Sequence, residues 1–114
     1  AIYMQALHIL IMLRGKNIEN TSGKKLLLDA DWDKLFHLSN AIHGDFITRI
    51  KNDFPTLTKH DIEICCLLRF GIEHEVLGSI FLTETDSVTK AKRRMKKRLN
   101  LSASDDLDVF LLKY

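Results

Sequence analysis

Apolar residues in the middle of this chain recur at three- and four-residue steps, and no stretch alternates apolar with polar as a half-buried strand does. Trp32, Leu35, Phe36, Ile42, Phe46, Ile47 and Ile50 follow this rule within "WDKLFHLSNAIHGDFITRIKNDF". That spacing places them on one side of a helix, the side a core must cover. With a single proline and five glycines in 114 residues, little interrupts helices elsewhere. The expected fold is all-α. At this length one ordinary domain with a modest core is the expectation, and 46% apolar with 28% charged residues is the composition of a globular protein.

The punctuation of the chain sets the expected boundaries. A first helix is expected over roughly 2–19, ending in the polar "GKNIENTSGKK". The second begins near Asp31, whose side chain is a candidate cap, and Gly44 marks a break that splits it. Pro55 closes that segment, because proline disfavours helix in the residue before it. Thr58 caps the next helix with Asp61 three residues on, and Gly71 supplies its stop. "HEVLGSIF" follows as a helix of barely two turns, then the polar turn "LTETD", then a helix from Thr85 or Asp86 to Leu99. In the last element Ser104 is expected as the cap, with Asp105 and Asp106 in the first turn.

Charge is distributed unevenly. The chain holds 17 Lys+Arg against 15 Asp+Glu, yet "SVTKAKRRMKKRLNL" carries seven bases and no acid. Without those seven, ten bases face fifteen acids. At 100° per residue Val88, Ala91, Met95 and Leu99 form a narrow apolar stripe, which anchors the helix. Lys90, Arg93, Arg94 and Lys97 lie opposite, Lys96 and Arg98 flank them, and Lys92 sits beside the apolar edge, where it snorkels outward. One-sign crowding of this kind is self-repulsive and is relieved by a polyanion. Two short helices joined by a tight polar turn, the second exposing cations, follow helix-turn-helix logic, in which the second helix enters the major groove. On that geometry Thr89, Lys90 and Arg93 address bases, while Ser87, Lys92, Arg94 and Lys97 meet phosphates.

Other chemistry is weakly represented. Cys65 and Cys66 are adjacent in an apolar run, so buried reduced thiols are expected, in a reducing, cytoplasmic setting. Five scattered histidines form no HExxH or His/Cys cluster, and no glycine-rich phosphate loop is present. His74 before Glu75 reads as a surface or capping residue, and His43 with Asp45 as part of a structural turn. No catalytic residue, metal site, cofactor or small-molecule substrate is expected. "AIYMQALHILIML" is too short to span a bilayer, and without an initiator Met the expectation is a C-terminal piece of a longer protein.

The stretch "LTKHDIEICCLLRFGIEHEVLGSIFLTETDSVTKAKRRMKKRLNL" resembles the C-terminal DNA-binding domain of LuxR-type transcriptional regulators. The likeness rests on Leu57-Thr58, the apolar Ile62 to Leu68, Val76 to Phe81, Ser87-Val88 and the basic run Lys96 to Leu99. Upstream, the Trp, Phe, His-x-Asp-Phe and Pro of "WDKLFHLSNAIHGDFITRIKNDFPTLT" resemble the form common in Bacteroidetes regulators. The likeness implies a tetrahelical helix-turn-helix domain over 56–114, a helical lead-in over 31–55, and a helical linker or coiled-coil end over 1–28. It also implies double-stranded DNA as partner, a sensor or repeat domain upstream, and a cytoplasmic domain whose full-length parent is soluble or membrane-anchored. A homodimer through the last helix follows too, with Val109, Phe110 and Leu112 as its surface. The chain departs from the family pattern at Val76-Leu77-Gly78, usually Glu-Ile-Ala, and at Thr83-Glu84, usually Ile-Ser. Those departures leave a second expectation, a protein-interaction module that keeps the fold without binding DNA.

Overall fold

A computed structural model describes residues 1–15 and 25–114. Among these described residues seven helices follow in chain order: α1 (Ile2–Leu13), α2 (Asp29–Ile42), α3 (Phe46–Asp53), α4 (Lys59–Arg69), α5 (His74–Phe81), α6 (Thr85–Arg98) and α7 (Leu107–Lys113). No strand occurs among the described residues, so the fold is all-α.

The centre is α4. Every residue from Asp61 to Leu68 is buried, which is why "DIEICCLL" reads as apolar nearly all round rather than striped. Helices α2, α3 and α7 pack on it. Its start is a complete capping box: Thr58 Oγ1 accepts from the Asp61 amide at 3.1 Å, and Asp61 Oδ2 accepts from the Thr58 amide at 2.9 Å. Gly71, at φ +80°, ends it as expected. The adjacent thiols lie within this helix, and burial pushes the Cys65 thiol up to about 12 and raises Cys66 as well. Both stay protonated and unreactive at neutral pH.

Around α4, aromatic contacts tie the elements together. Trp32 of α2 stacks on Phe81 of α5 with ring centroids 5.7 Å apart, and His60 of α4 meets the same ring at 4.5 Å. Helix α1 shares this core, burying Ala6, Leu10 and Leu13 against α2, while Met4, Leu7 and Ile11 remain exposed.

Several boundaries differ from expectation for local reasons. Helix α1 ends at Leu13 rather than near 19, with Arg14 as its cap and the Arg14 guanidinium donating to the Phe70 carbonyl. Residues 16–19 of the expected helix lie outside the described residues. Asp31 is not the cap of α2 but its third residue, where its carboxylate accepts from the Leu28 amide at 2.9 Å. The break at Gly44 is present, and Ile42, expected in the core, is exposed where α2 ends. Across that break Asn40 Oδ1 accepts from the Ile47 and Thr48 amides and so starts α3. In α7 the cap is Asp106, accepting from the Val109 amide at 3.1 Å, not Ser104. Asp105 instead accepts from the Ser102 amide and closes the preceding turn.

Candidate nucleic-acid interface

Three residues, 82–84, join α5 to α6. Leu82 takes a left-handed conformation (φ 54°), and its amide and that of Thr83 both reach back to the Gly78 carbonyl. The turn folds so closely over α5 that a Cβ on Gly78 would lie 2.8 Å from the Thr83 carbonyl oxygen. Gly78 therefore makes room for the turn.

Beyond the turn, Val88, Ala91 and Met95 are buried, and Leu99 is buried just past the end of α6. The apolar stripe read from the sequence is thus the seam that fixes the rotation of this helix. Asp86, in its first turn, is favourable against the helix dipole. It also lies on the face of Lys90 and Arg93, one and two turns before them, and so places a negative charge at the head of the basic ridge.

The seven bases separate into two groups. Lys92 is largely covered, its side chain 16% exposed, with Nζ 3.0 Å from Asp108 Oδ1 and 3.2 Å from His74 Nδ1. Lys96 Nζ donates to the Ala103 carbonyl at 2.9 Å. Arg98 Nη1 donates at 2.8 Å to Asp61 Oδ2, the carboxylate of the α4 capping box. Each of these three ties α6 to another part of the domain. Lys90, Arg93, Arg94 and Lys97 are exposed, and their side chains make no hydrogen bond or ion pair with any described residue. Their spacing puts them on one face as four unpaired cations.

Among the residues expected at an interface, Ser87, Thr89, Lys90, Arg93, Arg94 and Lys97 are brought to the exposed side of α6. Lys92, also expected at a phosphate, is instead largely covered, with its ammonium held by Asp108 and His74. On α7, Val109 and Leu112 are exposed, at 44% and 48%. Phe110 is half-buried, packed edge-on against Phe54 and beside Tyr114, and so serves the domain's own packing. Spacing gave no sign of Asp61, Asp108 or His74 as partners of bases, since each contact joins residues far apart in the chain.

Among the described residues no group of three His, Cys, Asp or Glu side chains is placed to hold a metal ion, and no helix is long and apolar enough to cross a membrane. No family model matches the chain, and no curated protein or solved structure matches it either.

Proposed function

We propose that this chain is the DNA-binding output domain of a bacterial transcriptional regulator, a helix-turn-helix of LuxR type acting as a homodimer on double-stranded DNA. Helix α6 enters the major groove, Thr89, Lys90 and Arg93 meet base edges, and Ser87, Arg94 and Lys97 meet phosphates. Val109 and Leu112 of α7 supply the dimer surface, and the sensing segment lies upstream.

The observation that carries this reading is the division of the bases. Lys92 and Arg98 are paired with carboxylates and Lys96 is held by a backbone carbonyl, and the four bases that remain share a single exposed face. A helix kept merely soluble gains as much from mixed charges, whereas four unpaired cations in one row suit a polyanion. Lys and Arg on that face displace counterions from phosphates.

Titrating a labelled duplex at low salt tests the reading. Lys90→Ala and Arg94→Ala each weaken binding several-fold, while Lys96→Met, which removes a base already engaged by Ala103, leaves it nearly unchanged. A wild-type protein with no affinity for duplex at low salt, but with affinity for an acidic protein surface, contradicts it.

A further inference from the structure

Beside the basic ridge, an open cavity of about 650 Å³ lies between α6 and the segment entering α7, and His74, Thr89, Lys92 and Asp108 are among its walls. His74, the first residue of α5, projects onto α6. Its Nδ1 is 3.2 Å from Lys92 Nζ, and its Nε2 is 3.5 Å from Thr89 Oγ1. Lys92 also pairs with Asp108 at 3.0 Å, and Thr89 Oγ1 lies 3.2 Å from the Thr85 carbonyl oxygen.

The donors in this chain run in one direction. An ammonium only donates, so Nδ1 of His74 must accept from Lys92. The ring hydrogen of neutral His74 then sits on Nε2 and faces the Thr89 hydroxyl oxygen, at the outer limit of a hydrogen bond. The hydroxyl's own hydrogen goes to the Thr85 carbonyl. Threonine in a helix divides between two rotamers because its hydroxyl can turn back to a carbonyl one turn earlier. Here two partners hold that hydroxyl, one on its own helix and one on α5. The methyl is the group at the end of this side chain that takes no part in these hydrogen bonds.

We infer that His74 is a positioning residue for base selection: by holding the Thr89 hydroxyl it makes Thr89 an apolar reader, suited to the C5-methyl of thymine. A free threonine hydroxyl donates or accepts and discriminates poorly among bases, whereas a fixed methyl favours the one base that carries a methyl in the major groove. This inference rests on the reading of α6 as a groove-binding helix. It adds that a residue outside that helix, reaching no base itself, decides what one of its readers presents.

Selection of bound duplexes from random DNA tests it, with the salt dependence of binding measured in parallel. The wild type enriches thymine at one position of the half-site, and Thr89→Val, which keeps a methyl there, retains the enrichment. His74→Ala reduces it about fivefold while the salt dependence stays as in the wild type. Two conservative variants separate positioning from simple packing. His74→Gln, whose amide falls where Nε2 was, restores the enrichment; His74→Asn, which replaces only Nδ1, does not. The same base pattern in the wild type and His74→Ala overturns the inference while DNA binding stands. A wild type that binds duplex with no thymine preference also overturns it. Absence of any salt-sensitive duplex affinity removes the reading beneath it, and the inference with it.

Discussion

Replacing Gly78 by alanine sets two magnitudes against each other. Alanine is the better helix former by about 1 kcal/mol, and this position is inside α5, so propensity alone favours the change. Against that, the new methyl would stand 2.8 Å from the Thr83 carbonyl oxygen, with the Thr85 amide nitrogen at 3.8 Å behind it. The obstruction is main chain, and the amide of Thr83 is itself held by the Gly78 carbonyl at 2.9 Å. Relief requires residues 82–84 to move away by several tenths of an ångström, carrying the start of α6 with them. Overpacking of this kind costs about 1–3 kcal/mol, leaving a net loss of up to about 2 kcal/mol after the propensity gain. Urea unfolding measures it: the midpoint falls with an unchanged slope, and the thermal midpoint falls by about 4 °C for each kcal/mol lost. Glu75→Ala, an exposed change in the same helix, serves as the control and is near neutral. Duplex affinity falls with Gly78→Ala as well, since the turn sets where α6 lies. A gain of about 1 kcal/mol, the propensity term alone, would refute the tight turn and the account of why glycine stands there.

Three further outcomes follow from the same geometry. Arg98→Met leaves the Asp61 carboxylate buried with the Thr58 amide as its remaining partner, and costs about 2 kcal/mol by denaturant unfolding, the partial exposure of Arg98 keeping it below a fully buried pair. Adding Asp61→Asn costs less than the two single changes together, and strict additivity would show that the pair is not coupled. His43 accepts from or donates to Ser39 at 2.7 Å and lies against Phe70; burial first, and the nearby Arg69 cation second, lower its pKa from 6.5 to about 4. The unfolded chain therefore binds this proton more readily than the folded one, so stability is constant above pH 6.5 and declines as pH falls from 6.5 toward 4. The loss is about 1–2 kcal/mol after solvent screening, and His43→Gln flattens that part of the pH profile; an identical profile in the variant would contradict it. Asp86→Asn removes the acid at the head of the basic ridge and tightens duplex binding roughly threefold at low salt, an effect that fades at high salt; unchanged affinity at low salt would place Asp86 away from the bound duplex.

How far the sequence revealed this arrangement depended on the range of each interaction. Periodicity is local, so the helical class, the break at Gly44, the capping box at Thr58 and the seam of Val88, Ala91, Met95 and Leu99 were all legible. Caps proved harder wherever several polar residues compete. At the start of α7, Ser104, Asp105 and Asp106 are all able to cap, and only the backbone path selects Asp106. Likewise the α3 cap comes from Asn40, across a turn whose geometry no spacing rule describes. The roles of individual bases were least legible, because they depend on tertiary partners. Arg98 is drawn to Asp61, 37 residues away, and Lys92 to Asp108 and His74, so a row that looks uniform in sequence is not uniform in space. A spacing of 100° per residue marks the exposed face, but nothing in it distinguishes the flanking bases that are already engaged.

The central claim is that four cations, rather than seven, face a polyanion from α6. Salt dependence counts them directly, since each phosphate neutralised contributes about −0.9 to the slope of log affinity against log salt concentration. With Arg94 and Lys97 at phosphates, and Lys90 and Arg93 at base edges where their charge also displaces counterions, the expected slope is about −2 to −4 per protomer on a short duplex. A slope near −6 would mean that Lys92, Lys96 and Arg98 leave their partners to join the interface. A slope of zero would mean that the ridge does not bind DNA.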